Sequence, residues 1–417
     1  MTFIHAADLH LGAPFLGLRH VSERWADRLI RAVPEAFDRL IQSALDHNVD
    51  FVLISGDLFD AAHPSYGEFM RFIDGVNRLG DAGIPVYFCT GNHDPYTAWR
   101  KSYASLPENA FMFSASRPSY FCYERAGEPL VALMGRGFYS QSWAADEKVE
   151  EGLTPAEAHR ALGVDTPFTV GVIHTGLDRD PSKAPVSPAA LLRTKTDYWA
   201  LGHLHTPEIV DSTADPHIVY AGCIQGRAMN ETGMHGIALV TLTTGQPNQL
   251  TFIPTASVVW EQPQVDVSSC ESISDMVERV QSTLRQLNAQ NHCNEMIERV
   301  TLVGATPIHE LLQQPNMLDE VRQRINDEVV EFYCDAVIDK TSLPVNRAAL
   351  RNEGLFPAVF MEAAERQMQE PDRELAFLQR EFAQRGFSLP RSLEQELQEL
   401  GADAESLVLD MLNGGRA

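Results

Sequence analysis

The fold is decided by a stretch of ten residues, 51–60, which reads FVLISGDLFD. Its first five residues are almost entirely apolar and do not alternate with polar ones, which is typical of a strand buried on both faces of a sheet. Gly56 and Asp57 follow directly, and in an open α/β sheet ligands bind just beyond the carboxyl ends of the strands. The stretch therefore predicts an α/β protein with a carboxylate at the ligand-binding edge of its sheet.

The same arrangement recurs through residues 1–254. Further apolar runs predict buried strands at residues 3–6, 86–89, 131–134, 168–173 and 198–201. Between these runs, apolar residues recur at helical spacing over about 22–47 and 66–79. Strands that alternate with helices indicate βαβ units. Shorter strands are predicted beyond them, at 218–220, 236–242 and 250–253.

The rest of the chain has a different pattern. Strand-like runs and amphipathic helical stretches are mixed over residues 255–344, which predicts a smaller α+β domain. Residues 345–417 are rich in Glu, Gln, Leu, Ala and Arg, and predict helices that are interrupted near Pro371 and Pro390. We therefore predict three domains, with boundaries 1–254, 255–344 and 345–417.

Composition limits the class of protein. The chain has 417 residues, 44% of them apolar and 22% charged, which fits a globular protein of more than one domain. Its six cysteines form no Cys-x-x-Cys pair, which argues against a disulfide framework or a zinc ribbon. No apolar run approaches the roughly 18 residues of a membrane helix, and the N-terminus lacks the pattern of a signal peptide. We expect a cytoplasmic protein without membrane contact.

The net charge points away from a simple nucleic-acid binder. There are 33 Lys and Arg residues against 57 Asp and Glu residues, which gives a formal charge of −24. Proteins that bind phosphates usually concentrate basic residues, so composition alone would not suggest DNA. A bound multivalent cation would reverse the local field, however, and the motifs must therefore decide the function.

Polar side chains with metal-binding chemistry follow the predicted strands, each just beyond a strand end. They are Asp8, His10, Asp57, Asn92, His93, His174, His203 and His205. Asp8 and His10 are two residues apart, as are His203 and His205, so in an extended segment each pair would project to one face and could chelate an ion. Adjacent glycines, Gly56, Gly91 and Gly202, are expected to allow tight turns with positive φ.

These groups supply two carboxylates, one amide and four imidazoles besides His93. Such a mixed set suits Mn²⁺, Fe or Zn²⁺ better than Ca²⁺ or Cu(I). Seven ligands exceed the needs of one ion, and two ions about 3.5–4 Å apart can share a carboxylate, activate a water and clamp the oxygens of an in-line displacement. Each motif alone is weak, because an Asp-x-His triplet or a Gly-Asn-His-Asp turn is commonly structural. Their conjunction at successive strand ends predicts phosphoester hydrolysis.

Four motifs resemble the calcineurin-like metallophosphoesterase superfamily, and in wording its SbcD-type DNA repair nuclease branch, YhaO-like subgroup. They are ADLHLG at 7–12, SGDLFD at 55–60, TGNHD at 90–94 and ALGHLH at 200–205. The resemblance implies a four-layer α-β-β-α sandwich over residues 1–254. It also implies a small α+β capping domain over 255–344, followed by a helical C-terminal segment.

The resemblance also implies roles for the site residues. One Mn²⁺ would be held by Asp8, His10 and His205, and the other by Asn92, His174 and His203. Asp57 would bridge the two ions, for which Fe or Zn could substitute. His93 would protonate the leaving oxygen or stabilise the transition state, a role that suits an imidazole near neutral pH.

Some positions depart from the family pattern and bear on substrate contacts. Asp60 stands where archaeal and eukaryotic nucleases often carry a histidine, and His235 replaces a downstream lysine. Arg136 and Arg227 are candidates for phosphate or DNA contact, although each is equally well explained as a surface arginine.

The resemblance implies a Mn²⁺-dependent DNA exonuclease or nuclease. Its partner would be an SMC-like coiled-coil ATPase that supplies a DNA-binding surface, and the chain could form a homodimer. The C-terminal helical segment, with apolar positions such as Phe377 and Phe382, is a candidate docking element or a tail packed on its own protein. A phosphatase or cyclic-nucleotide phosphodiesterase with the same metals is the alternative enzyme. A non-catalytic repair scaffold is a third reading, which the complete ligand set disfavours.

Overall fold

The computed structural model describes residues 1–15, 23–60, 64–99, 105–144, 147–292, 295–327, 329–344, 356–369, 371–385 and 408. The chain divides into two compact units. The first unit comprises Met1–Gln262, Leu287–Glu298 and Val330–Asp335. The second unit comprises Pro263–Gln286, Arg299–Val329 and Ala336–Ala417. No helix in the described ranges is long and apolar enough to cross a membrane.

The first unit begins with a βαβαβ sequence, as the periodicity predicts. Its elements are β1 (Thr2–Ala6), α1 (Glu23–Asp46), β2 (Phe51–Ser55), α2 (Tyr66–Asp81), β3 (Val86–Cys89) and β4 (Ala110–Met112). Strands β1 to β4 are parallel neighbours in one sheet. Helix α2 begins at a capping box, in which Ser65 Oγ accepts from the Glu68 amide and Glu68 accepts from the Ser65 amide.

A second series of strands and helices follows in the same unit. Its elements are β5 (Ser119–Arg125), β6 (Glu128–Arg136), α3 (Pro155–Leu162), β7 (Phe168–His174), α4 (Pro188–Arg193), β8 (Tyr198–Gly202), β9 (Glu208–Ile209), β10 (Ile218–Tyr220), β11 (Gly236–Thr241), β12 (Gln249–Pro254) and β13 (Val259–Glu261). Strand β11 joins the first sheet antiparallel to β1, and β12 pairs antiparallel with β11, so the order of the first sheet is β12-β11-β1-β2-β3-β4. The second sheet has the order β5-β6-β7-β8-β10-β9.

The two sheets pack face to face, with helices on their outer faces. Within β2, Val52 and Ile54 belong to the apolar cluster that includes α1 and α2, whereas Phe51 and Leu53 join a cluster shared with β6 and β7 of the second sheet. The other face of the second sheet packs against α3 and α4. Alternate residues of one strand thus enter two cores, which explains its unbroken apolar run. The predicted four-layer α-β-β-α sandwich is confirmed.

The second unit holds most of the later elements, although α5, β15 and β16 each contain residues that belong to both units. They are β14 (Gln264–Asp266), α5 (Ile273–Gln290), β15 (Met296–Ala305), α6 (His309–Leu312), α7 (Met317–Asn326), β16 (Phe332–Ser342), α8 (Phe356–Gln369) and α9 (Pro371–Gln384). Strand β14 pairs in parallel with β15. Pro371 begins α9, where its missing amide hydrogen costs no helical bond. The break predicted near Pro390 lies outside the described residues.

Candidate metal centre

The site forms where the carboxyl ends of strands from both sheets meet. The loop after β1 is bonded to the loop after β2, since the Asp8 amide donates to the Gly56 carbonyl at 3.1 Å. The second sheet is attached through His203, whose amide donates to the Asp8 carboxylate at 3.0 Å. These bonds bring side chains that are nearly two hundred residues apart in sequence into one polar cluster.

The backbone at these strand ends is left-handed rather than extended. The φ angles are +50° at Asp8, +45° at His10, +50° at Asp57 and +109° at His203. The prediction that Asp8 and His10, or His203 and His205, converge by the alternation of an extended segment is therefore wrong. The side chains of Asp8 and His10 converge because the chain turns sharply, whereas His203 and His205 face different groups of the site. The positive-φ conformation costs about 1–3 kcal/mol per non-glycine residue and recurs at functional sites.

The adjacent glycines serve two different purposes. Gly56 has a φ of +90°, as the sequence predicts. Gly91 and Gly202 are not among the described residues with positive φ, so the prediction for them is wrong. Space is what these two positions require, because a Cβ at Gly91 would lie 2.1 Å from Asp57 Oδ1 and one at Gly202 would lie 1.9 Å from the Ser55 carbonyl oxygen.

Asp8, His10 and His205 form the first candidate ligand group, with one donor atom of each within 4.8 Å of the others. The Nε2 atoms of His10 and His205 lie 3.1 Å apart. His10 Nδ1 lies 3.0 Å from Asp60 Oδ1, and His205 Nδ1 lies 2.6 Å from Glu231 Oε1. Carboxylates beside Nδ1 favour the tautomer with the proton there, so two Nε2 lone pairs face each other and a cation between them would satisfy both.

A second group surrounds Asp57. His174 Nδ1 donates to the Ser55 carbonyl at 2.9 Å, which leaves its Nε2 as an acceptor. That Nε2 lies 3.1 Å from Asn92 Oδ1 and 3.4 Å from Asp57 Oδ2, so three acceptor atoms again face one another. Asp8, Asp57 and His174 also place donor atoms within 4.8 Å of one another. The donor sets on both sides of Asp57 fit divalent metal ions.

His203 lies at the edge of this second group. Its ring packs edge-on against His174, with 5.3 Å between ring centroids, and its Nε2 lies 3.4 Å from Asp180 Oδ2. Asp180 was not predicted as a site residue. It belongs to a loop after β7 that has no periodic pattern.

His93 lies beside both groups and is more open to solvent than the ligands. Its side chain is 42% exposed, its ring centroid is 4.9 Å from that of His10, and its amide donates to Asp57 Oδ1 at 2.8 Å. The next residue, Asp94, is buried and accepts from the amides of Gly91 and Leu58, which shapes the loop that carries His93. An exposed imidazole beside a metal group is suited to proton transfer.

The electrostatics of the site follow from burial and close pairing. Burial raises the pKa of the Asp57 carboxyl, but the neighbouring imidazoles, His174 first, outweigh it and the net shift is downward. Burial also raises the pKa of Glu231, yet its hydrogen bond with His205 lowers it to about 2. Burial lowers the pKa of His10. The carboxyl groups of Asp57 and Glu231 are therefore ionised at neutral pH, and the His10 imidazole is neutral there.

The carboxylates beside the imidazoles of His10 and His205 were not predicted as site residues. Asp60 and Glu231 are joined by Arg227, whose guanidinium lies 2.8 Å from Asp60 Oδ1 and whose backbone amide donates to Glu231 Oε2 at 2.6 Å. Asp60 could have been suspected from its place three residues after Asp57, whereas Glu231 lies in a turn without a motif.

Arg136 is the other arginine predicted to contact substrate. It is bound to Glu147 at 2.5 Å, and its guanidinium lies 4.8 Å from the Trp143 ring centroid.

A four-layer sandwich with carboxylates, an amide and imidazoles gathered at its strand ends defines a metal-dependent phosphoesterase. Residues 1–207 match the calcineurin-like phosphoesterase family, and residues 260–343 match the middle domain of the metallophosphoesterase YhaO. The chain is a calcineurin-like metallophosphoesterase with a YhaO-type middle domain, which confirms the resemblance inferred from the four motifs.

Individual relatives agree with this assignment. The chain is 29% identical over 334 residues to the uncharacterized metallophosphoesterase YhaO of Bacillus subtilis, covering 79% of this chain and 78% of that protein. It is 28% identical over 288 residues to the DNA double-strand break repair protein Mre11 of Aeropyrum pernix, covering 66% of each. It is 24% identical over 321 residues to the Mre11 protein of Methanopyrus kandleri, covering 74% of this chain and 66% of that protein.

Proposed function

We propose that the protein is a Mn²⁺-dependent phosphodiesterase that hydrolyses the DNA backbone, as a DNA repair exonuclease or structure-processing nuclease. The observation that carries the proposal is the pair of facing acceptor atoms on either side of Asp57, His10 with His205 and His174 with Asn92. DNA as the substrate is supported by relatives that are named DNA double-strand break repair proteins.

In the proposed assignment, Asp8, His10 and His205 hold one ion, and Asn92, His174 and His203 hold the other. Asp57 would bridge them, since one of its carboxylate oxygens lies 3.4 Å from His174 Nε2 and the carboxylate also has a donor atom of Asp8 within 4.8 Å. Two bound divalent ions would supply an activated water and a clamp for the phosphoryl oxygens. Mn²⁺ is proposed over Fe or Zn²⁺ from the family resemblance.

The protein's own groups orient this chemistry. Asp60 and Glu231 hold the Nδ1 sides of His10 and His205, so that each Nε2 points to the first ion position. His93 is proposed to donate a proton to the leaving oxygen. Its backbone is held by Asp57 while its ring remains partly open to solvent, where a departing strand would lie.

DNA and a partner chain complete the proposal. Because the net charge is −24, we propose that an SMC-like coiled-coil ATPase supplies the basic surface for DNA. From the family resemblance we also propose that the chain can form a homodimer. Helix α9 exposes Phe377 and Phe382 and is proposed as part of the docking segment, 345–417. Residues 1–254 would be the nuclease domain and 255–344 the capping domain. A DNA substrate also implies a cytoplasmic location.

The acidic charge favours one rival function. A phosphatase or cyclic-nucleotide phosphodiesterase with the same ligands would act on small phosphoesters and would need no basic surface. A scaffold without catalysis would have no reason to keep both facing acceptor pairs.

One assay separates these functions. The purified protein is incubated with Mn²⁺ and a panel of duplex, single-stranded and hairpin DNAs, with a cyclic nucleotide and a phosphomonoester as comparison substrates. We expect DNA cleavage that EDTA abolishes and added Mn²⁺ restores. Hydrolysis of the small esters alone would select the rival enzyme, and no hydrolysis of any substrate, with both ions bound, would leave the scaffold. The assay is repeated with the ATPase partner present.

A further inference from the structure

Two exposed tyrosines are stacked on each other next to the metal centre. The ring centroids of Tyr96 and Tyr139 lie 6.1 Å apart with 27° between the ring planes, and the residues are 38% and 55% exposed. Backbone bonds hold the pair in place, since the Tyr96 amide donates to the Phe138 carbonyl at 2.9 Å and the Thr97 amide to the Tyr139 carbonyl at 3.2 Å. The backbone of both tyrosines is therefore held in place while their side chains remain partly exposed to solvent.

Tyr139 also forms one wall of a cleft of about 330 Å³. Trp143 also lines the cleft, with the Arg136 guanidinium 4.8 Å from its ring centroid and Glu147 bound to that guanidinium at 2.5 Å. Ser140 and Ser142 add polar groups to the lining. We call these residues, together with Tyr96, which stacks on Tyr139, the aromatic cleft. Its volume is at the lower end of the range for small-molecule sites and suits a group the size of one nucleobase.

The aromatic cleft is connected to the metal centre through one buried side chain. Phe138 packs edge-on against Trp143 at 5.1 Å and against the proposed ligand His174 at 5.6 Å, both between ring centroids. The ring centroids of Trp143 and His174 are therefore less than 11 Å apart, because their separation cannot exceed the sum of the two distances to Phe138. Tyr96 follows Asn92 by four residues along the same loop. One or two nucleotides of a strand can span such a distance.

We propose that the aromatic cleft binds a single unpaired nucleobase of the strand whose phosphodiester lies at the metal centre. The proposal rests on the proposed nuclease function and deepens it. The base stacks on the exposed tyrosine face, since every base offers a π-face to an aromatic side chain. Arg136, Ser140 and Ser142 line the same cleft and supply polar groups for the edge of the base. A cleft of this volume excludes a base pair, so the strand must be single or frayed at this point.

The test uses binding and fluorescence on the full-length protein with Mn²⁺. The ligand is a single-stranded oligonucleotide with phosphorothioate linkages that resist cleavage, carrying 2-aminopurine at successive positions in a series. We expect one position at which the fluorescence is quenched by stacking. Tyr139→Ala should abolish that quenching and weaken binding about five-fold or more, whereas Tyr139→Phe should preserve both because the ring remains. An abasic site at the same position should weaken wild-type binding equally and should remove the difference between wild type and Tyr139→Ala.

Controls distinguish this proposal from the nuclease proposal. Leu192→Ala truncates an exposed apolar side chain on α4 and should bind like wild type. Elemental analysis and thermal unfolding of Tyr139→Ala show whether the fold and the ions are retained, and Tyr96→Ala provides a second variant should the first misfold. If wild type cleaves DNA but Tyr139→Ala and Tyr96→Ala bind and quench as wild type does, the cleft proposal is overturned and the nuclease remains. If wild type neither cleaves nor binds any DNA while it hydrolyses small esters, both proposals fail.

Discussion

Glu231 accepts a hydrogen bond from Nδ1 of His205, with 2.6 Å between the two atoms. This contact determines which nitrogen of His205 carries the proton, and it directs the Nε2 lone pair toward Nε2 of His10. Asp60 has the corresponding position beside His10 Nδ1. In the proposed assignment, Asp60 and Glu231 are therefore not ligands but orient the imidazoles of His10 and His205.

We predict that Glu231→Ala lowers the affinity for metal about 10- to 100-fold, because the His205 ring loses the partner that holds its tautomer and orientation. Competition with a chelator of known affinity measures the change. Glu208→Ala is the matched control, since it removes a carboxylate whose ion pair with Arg179 is on the surface. An affinity equal to that of wild type would show that Glu231 does not support the ligand.

Asp57→Ala should remove metal from both proposed positions, because the carboxylate proposed to bridge the ions would be lost and like-charged ions would be left without an anion between them. Elemental analysis after gel filtration counts the ions per chain. A variant that still retained two ions would show that the bridge is assigned to the wrong residue.

His93→Ala should keep both ions and lose hydrolysis about 10²- to 10⁴-fold, the usual contribution of general acid catalysis. The measurement is the hydrolysis rate at saturating Mn²⁺, with metal content determined on the same sample. His93→Gln tests whether a hydrogen-bond donor without titration restores part of the rate. Loss of an ion from His93→Ala would instead make His93 a ligand.

Gly91→Ala should destabilise the fold by about 1–3 kcal/mol, the usual cost of overpacking, because the added Cβ would lie 2.1 Å from Asp57 Oδ1 and 2.5 Å from the Asp57 amide nitrogen. Urea unfolding measures the free energy. Gly67→Ala is the control. Gly67 lies in helix α2, and the one atom within 4 Å of its added Cβ would be Ser65 Oγ, at 3.9 Å. We expect that variant to be as stable as wild type or up to about 1 kcal/mol more stable. Equal stability of both variants would show that the Gly91 loop yields without cost.

Strands that pack on both faces could be predicted accurately from the sequence. The run at 51–55 predicts β2 with the bounds it has in the structure, Phe51–Ser55, because two cores require an apolar residue at every position. The edge strand β5 and the short helix α3 were not predicted. Strand β5 is only half-buried along its length, and α3 has one fully buried residue, Ala158, so neither produces a strong periodic pattern.

The candidate ligands could be named from the sequence because metal chemistry restricts their residue types. Their place at strand ends could be predicted because each directly follows an apolar run in the sequence. Their supporting partners could not be named. Asp180 and Glu231 lie in loops, and each reaches its histidine only through the packing of loops around the strand ends.

Residue types along the chain predicted the buried strands, the intervening helices and the donor groups at the strand ends, since burial of apolar strands and the preference of metals for particular donors both act on residue type. The tertiary structure set which donor atoms face each other and which nitrogen of each imidazole is free. It also decided that the turns are left-handed and that an aromatic cleft adjoins the site. These properties depend on distances between segments far apart in the chain, and packing sets those distances to within a few tenths of an ångström.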